Sequence, residues 1–385
     1  MGVVLNLADL RRAVERRFPV YDVQTDENVA AFYVTVDPAT LESDFDALRR
    51  DLKLEQLVPI LKYQGGEHAV YVVHRPERAY RSRRVNLVLF IATWITTTLA
   101  GASAWFFYSH PGQLFGEGQG LDGLKAIYAP QTLFFGFLTF ALPLMLILGI
   151  HEMGHYVLSR RHGMEASLPF FIPLPPFIQS VEIGTLGAFI SMREPIPDRK
   201  ALLDIGISGP IAGFVVAIPV LFIGMLLMAA NPVFLPEAQV EGAAQLGTPL
   251  LYNVLALPFD FPDAQVIHPT AFAGWVGLFV TAINLLPAGQ LDGGHVAAAM
   301  FGDKARYASY ASVALLASLG FGLLRPLGIP QYSGWVMFAL LVAFLGLQHP
   351  PTLNHVTKLD TNRKVLGWLT FGLMVLCFTP VPISG

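Results

Sequence analysis

Residues 134–155 read FFGFLTFALPLMLILGIHEMGH: an apolar run from Phe134 to Ile150 that ends on His151-Glu152-Met153-Gly154-His155. On a helix, positions i and i+4 share one face, so both imidazoles project to the same side with Glu152 displaced toward it. Two neutral imidazoles can hold a zinc ion, which in catalytic sites takes three protein ligands and leaves a fourth position to water that a neighbouring carboxylate deprotonates. Three fixed residues also occur together by accident in chains of this length. The setting argues against accident, because ionisable groups at the end of a lipid-length apolar run are costly and by default functional.

Working outward, the 385 residues are 54% hydrophobic and only 14% charged, which describes a polytopic membrane protein rather than a soluble one. A net charge of -3 offers no footing for nucleic acid. Cys377 is the single cysteine, so an intramolecular disulfide and a cysteine-based zinc cluster are both excluded, and any metal site must use His, Asp or Glu. The first residues lack the basic-then-apolar order of a signal peptide, so insertion is expected to rely on internal spans.

Residues 1–74 read as a small soluble α+β domain: a helix near Leu5 to Phe18, β-prone runs at 20–24 and 30–36, a helix from Thr40 to Leu52, and strands Leu57 to Tyr63 and His68 to His74. Gly65-Gly66 between the last two suits a hairpin turn. A basic linker, 75–84, leads to a membrane-embedded part, 85–385, whose core is expected at about 130–300. Hydrophobic stretches stand at about 86–108, 132–160, 204–229, 270–287, 307–324, 333–347 and 365–380, giving six to eight membrane segments, with seven the expected number. The fold class is thus a polytopic α-helical membrane protein with a small N-terminal α+β domain. Lys and Arg cluster in alternate loops, including Arg75, Arg78, Arg81, Arg83 and Arg84, and then Arg160 and Arg161. That asymmetry puts the N-terminus on the cytoplasmic side and the metal motif toward it.

The third ligand is not local. A metzincin would need Gly at 158 and His at 161, but these are Leu158 and Arg161. Glu165 and Glu182 are candidates beside proline-rich or strand-like sequence. The stronger candidate is Asp292, in Asn284-Leu285-Leu286-Pro287-Ala288-Gly289-Gln290-Leu291-Asp292-Gly293-Gly294-His295, where proline and glycines let the backbone bend toward a metal. The pairing of HEMGH with NLLPAGQLDGGH resembles the site-2 protease family of intramembrane metalloproteases, over about 130–300. The resemblance implies one zinc ion held by His151, His155 and Asp292, Glu152 as general base, and Asn284 holding substrate or stabilising an oxyanion. Gly184, Thr185, Leu186, Gly187, Ala188 and Phe189 look like the family's small-residue strand motif, and Asp204 to Gly213 like the start of its third core helix. Residues 230–269 are too few for the PDZ insert of some members. His295 is expected to be structural or to stand behind the ligands. Asp204 is expected to cap its helix, and Gly209 and Gly213 to allow close helix packing.

A peptide bond inside a transmembrane helix is hydrogen-bonded and covered, so substrate must unwind and an exposed strand edge at 184–190 would pair with it. An ordinary hairpin between spans is the plainer reading of that stretch. The proline-rich run 169–177 cannot be regular helix, and either dips into the membrane or connects at the surface. Expected partners are a transmembrane protein substrate, the lipid bilayer and a possible cytoplasmic regulator of the N-terminal domain. A metal transporter and a non-catalytic binder of transmembrane helices are the alternatives. A transporter has no need of Glu152 between the histidines, and a binder no need of the full set.

Overall fold

Two hydrophobic periods in one chain make two kinds of layer. The computed structural model describes residues 7–26, 29–75, 82–112, 120–175, 183–240 and 243–384. Expectations placed on residues 5 and 6, Arg78, Arg81, Pro176, Phe177 and Glu182 fall outside them.

The first layer is built from α1 (Leu7–Glu15), β1 (Val20–Asp26), β2 (Val29–Val34), α2 (Leu41–Lys53), β3 (Leu57–Gln64) and β4 (Glu67–His74). The strands form one antiparallel sheet in the order β1-β2-β4-β3. Gly65 and Gly66 both take positive φ, 61° and 92°, which the two-residue turn between paired Gln64 and Glu67 requires. Alternate residues Phe32, Val34, Leu61, Val70 and Val72 point to one face, where Leu10, Val14, Phe45, Leu48 and Leu52 of the two helices cover them. One member of this core, Leu353, comes from the far end of the chain. Asn354 forms a single parallel bridge to Leu61 of β3: the Leu61 N–H donates to the Leu353 carbonyl at 2.8 Å, and the His355 N–H to the Leu61 carbonyl at 3.1 Å.

The second layer is helical: α3 (Arg83–Ser109), α4 (Gly120–Ile127), α5 (Pro130–Gly136), α6 (Leu142–Arg161), β5 (Phe170–Pro173), β6 (Thr185–Phe189), α7 (Arg199–Ala230), α8 (Glu237–Val240), β7 (Gln245–Leu246), α9 (Leu250–Ala256), α10 (Pro269–Asn284), α11 (Asp292–Phe301), α12 (Ala305–Gly320), α13 (Gly334–Leu345), α14 (Thr361–Cys377) and β8 (Ile383–Ser384). All seven hydrophobic stretches of the sequence lie on helices. Among the described residues three helical stretches, Arg83–Ser109, Pro130–Arg161 and Arg199–Ala230, are long and apolar enough to cross a membrane. The other four, α10, α12, α13 and α14, have 16, 16, 12 and 17 residues. At 1.5 Å per residue, 16 residues reach about 24 Å, short of a hydrocarbon core of about 30 Å.

The stretch Pro130–Arg161 stays helical through Pro143 by a local change of pitch. Residues Phe137–Ala141 form a π-turn in which the Leu142 N–H reaches the Phe137 carbonyl. Pro143 has no N–H to give the Thr139 carbonyl, and the Thr270 hydroxyl of α10 donates to it instead at 2.8 Å. A neighbouring threonine thus replaces a bond that lipid could not supply. Glycines set the closest crossings: a Cβ on Gly101 of α3 would overlap the Gly136 carbonyl of α5. At the centre, α7 packs against α6, α10 and α11.

Gly101→Leu should lower the thermal midpoint in detergent, since overpacking costs about 1–3 kcal/mol. Gly149→Ala, where an added Cβ meets nothing within 4 Å, should leave it unchanged; equal loss in both would show that the crossing is not tight.

Candidate metal centre

α6 carries His151, Glu152 and His155, all buried, on its face toward α7. The chain leaves α10 at Asn284, turns through Leu285-Leu286-Pro287-Ala288-Gly289, where Pro287 ends helical pairing and Gly289 takes a φ of 53°, and restarts as α11 with Asp292 as its first residue. The turn delivers the Asp292 carboxylate to the two histidines.

His151 Nε2 and His155 Nε2 lie 3.2 Å apart, and Asp292 Oδ2 is 3.3 Å from each. A tetrahedral zinc with ligands at 2.0–2.1 Å separates them by about 3.3 Å, the edge of its coordination polyhedron. The triangle therefore fits one tetrahedral ion with a corner left over. His155 Nδ1 is 2.8 Å from the Ile205 carbonyl. A carbonyl only accepts, so the proton sits on Nδ1 and the lone pair of Nε2 faces the other two donors. Asn284 Nδ2 stands 3.5 Å from His151 Nε2. Glu152 Oε2 is buried with no partner among the described residues. An orphaned carboxylate oxygen beside three converging donors suits a site that holds a proton-giving molecule such as water.

The surface under the donors is a glycine face of α7. A Cβ on Gly209 would occupy the space of the His155 ring at Nε2, one on Gly213 would stand 3.0 Å from His151 Cβ, and one on Gly206 would stand 2.9 Å from His295 Cβ and 3.1 Å from the Asp292 carbonyl oxygen. Small residues at 209 and 213 were legible as packing glycines, but their partners are the metal-binding side chains themselves.

A cavity of about 590 Å³ opens beside the donors. Its wall includes Glu152, Asn284, Ala188, Phe189 and His349. Thus Ala188 and Phe189 of the small-residue strand reach the site, whereas Gly184, Thr185, Leu186 and Gly187 do not line it. Gly184 is packed against α3, its carbonyl accepting from the Thr96 hydroxyl at 2.6 Å, and Leu186 is exposed. β6 pairs antiparallel with β5, with Phe171 opposite Ala188. The run at 169–177 is therefore in part a strand, and β6 has no strand on its other edge among the described residues.

Other sequence candidates lie elsewhere. Glu165 pairs with Lys53 at 3.4 Å. The helix cap is Asp198, which accepts from the Ala201 N–H at 2.8 Å, and α7 begins at Arg199, not near Asp204. Asp204 instead receives a two-pronged hydrogen bond from Arg363 of α14, at 2.8 and 2.7 Å, and touches His162 at 3.1 Å. That cap expectation is corrected: Asp204 ties α6, α7 and α14 together. His295 hydrogen-bonds the Leu291 carbonyl at 3.0 Å and meets His349 edge to face, 4.6 Å between ring centres. Ile190, the last residue of the expected strand edge, also lines the cavity, whereas Glu194 and His349 carry no motif and reach the site only through pairing distant in sequence.

The sequence model of peptidase family M50 matches residues 139–324. The probable zinc metalloprotease EGY1, chloroplastic, of Arabidopsis thaliana is 33% identical over 269 residues, 67% of this chain and 46% of its own length. The protein of the same name from Oryza sativa subsp. japonica is 32% identical over 60% of this chain and 38% of its own length. The probable zinc metalloprotease EGY2, chloroplastic, of Oryza sativa subsp. indica is 31% identical over 62% of this chain and 42% of its own. The chain spans less than half the length of each. No solved structure matches it significantly.

Gly209→Ala should weaken binding of a divalent cation by about 10–100-fold, the usual effect of displacing a ligand's support. Chelator competition on the purified protein measures this; unchanged affinity with helix content intact would separate Gly209 from the donors.

Proposed function

The chain carries a peptidase M50 (site-2 protease) domain, and from that premise we propose that it is an intramembrane zinc metalloprotease cutting peptide bonds within or near transmembrane helices of membrane-anchored proteins. The observation that carries the reading is the triangle of His151, His155 and Asp292 with the unpartnered Glu152 oxygen beside it. In this reading those three side chains hold one zinc ion. Bound there, zinc supplies Lewis-acid polarisation of a carbonyl and makes water acidic enough to lose a proton near neutral pH.

The residues of the chain divide the remaining work. Glu152 accepts the proton of the attacking water and passes it to the leaving amide nitrogen, so one carboxylate serves as base and then as acid. Its burial keeps that proton from exchanging with bulk solvent. Asn284, at the end of α10 and beside His151, donates Nδ2–H to the oxygen that gains charge as the carbonyl becomes tetrahedral. A helical substrate has its carbonyls already bonded, so it must be extended first. The open edge of β6, with Ala188 and Phe189 at the cavity, offers backbone partners to such an extended segment, and Gly184 to Gly187 carry the strand outward from the site.

We place the domain boundary at the basic stretch 75–84, with the N-terminal domain on the cytoplasmic side and residues 85–385 in the membrane. The proposal follows the excess of Lys and Arg on alternate loops. The site then faces the cytoplasmic half of the bilayer, and the lipid bilayer and a transmembrane protein are its partners. A soluble regulator of the N-terminal domain would act from the same side.

Cleavage of a reconstituted transmembrane substrate, with zinc content measured alongside, tests the reading. Glu152→Gln should abolish turnover while zinc stays bound; cleavage that survives the substitution would end it. Asn284→Leu should lower kcat by about a hundredfold, near 3 kcal/mol, with zinc content unchanged. Equal loss of zinc and turnover would make Asn284 a structural residue.

A further inference from the structure

Residues 184–198 form one extended path that touches three different parts of the molecule. β6 occupies its start. Ile190 then lines the same cavity as Glu152. Beyond it the Ser191 N–H donates to Ser167 Oγ at 2.9 Å, the Ser167 N–H returns to the Ser191 carbonyl at 3.0 Å, and the Arg193 N–H donates to the Glu165 carbonyl at 2.9 Å. The path ends with the Ile196 and Pro197 carbonyls accepting from the Leu353 and Asn354 N–H groups at 2.9 and 2.7 Å. Leu353 is the residue that enters the core of the N-terminal domain. Between these anchors stands Glu194, buried, on the wall of the catalytic cavity.

The Glu194 carboxylate is met by cations of the N-terminal domain and the residue that follows it. Lys53 Nζ lies 2.6 Å from Oε1, an Arg75 guanidinium nitrogen 3.4 Å from the same oxygen, and an Arg49 nitrogen 3.9 Å from Oε2. Arg49 is itself buried and also donates to the His162 carbonyl at 3.1 Å, at the end of α6. Charges this deep depend on their partners, because removing one member leaves the other desolvated and uncompensated. A surface pair such as Lys200 with Glu42, 2.7 Å apart and half open to solvent, carries no such dependence.

We propose that Glu194 is a positioning residue through which the docked N-terminal domain sets the wall of the cavity beside Glu152. Arg49, Lys53 and Arg75 fix Glu194; Glu194 and the strand pairs on either side fix the path at 190–193; and Ile190, Met192 and Glu194 of that path line the cavity together with Glu152. The N-terminal domain is then part of the catalytic apparatus although it contributes no atom to the reaction. The inference rests on the reading of Glu152 as the base. It places the effect of the domain in kcat, since what moves is the cavity wall around the base and not the substrate edge of β6.

The full chain in proteoliposomes, with a transmembrane-helix substrate, provides the test, and amide hydrogen exchange of the metal-free protein provides a readout independent of turnover. The double variant Lys53→Met, Arg75→Met should lower kcat by about tenfold to a hundredfold, leave KM within about twofold, retain zinc, and speed exchange at residues 190–193. Lys53→Arg, which keeps the charge, should restore most of kcat when it replaces Lys53→Met in that pair. Lys200→Met, which removes a surface ion pair of the same domain without touching Glu194, should leave kcat and exchange as they are. Unchanged kcat and exchange in the double variant overturn the proposal, as does a loss carried entirely by KM or by zinc content. A wild-type chain that binds zinc and cleaves nothing defeats the protease reading instead; exchange at 190–193 then still decides whether the domain sets the path.

Discussion

The site depends on how closely α7 lies under α6 and α11. At 209 only a hydrogen fits beneath the His155 ring, and at 206 and 213 the same helix touches the backbone of Asp292 and the base of His151. One helix face thereby registers donors from two segments more than a hundred residues apart in sequence. The Ile205 carbonyl of that helix also orients His155 by accepting from Nδ1. Packing and tautomer are set by one surface, so the donors do not need to be restrained separately. In a medium where helices gain nothing by hiding apolar side chains from one another, such close backbone contact is the main source of association.

A second constraint is that backbone groups within an apolar slab must find partners inside the protein. α10 answers it at one end and serves the site at the other. Its first turn gives the Thr270 hydroxyl to the Thr139 carbonyl that Pro143 leaves without a donor, and its last residue is Asn284, beside His151. The kink above the metal motif and the amide next to it are therefore held by a single short helix.

Much of this was legible in the residues. The i, i+4 spacing of His151 and His155 belongs to any helix, and an Asp at 292 between glycines in an apolar stretch stood out by its cost. The N-terminal strands and the Gly65-Gly66 turn were readable because period-two patterning and turn chemistry are local. What escaped reading depends on contacts between distant segments. Asp204 looked like a cap because an acid near the start of an apolar helix usually is one; its partner, Arg363, lies on α14. Gly209 and Gly213 read as packing residues without showing what packs on them. The short helices α10, α12, α13 and α14 matched their hydrophobic stretches, but hydropathy says little of how far 12 or 16 residues reach. Glu194 has no motif around it and gains its meaning only from the three cations that surround it.

The bridge between Asn354 and Leu61 gives the molecule a direction in time. A nascent chain is made from its N-terminus and its domains fold as they emerge. The β3 edge at Leu61 is thus formed early, with its N–H and carbonyl open, and the segment that covers them is made only after α13 has been synthesised. Until then the small sheet stands with one side of its core lacking Leu353 and with an edge free to pair with other chains. Closure of that bridge joins segments that flank α3 to α13 in sequence, so it waits until all of those helices have been made.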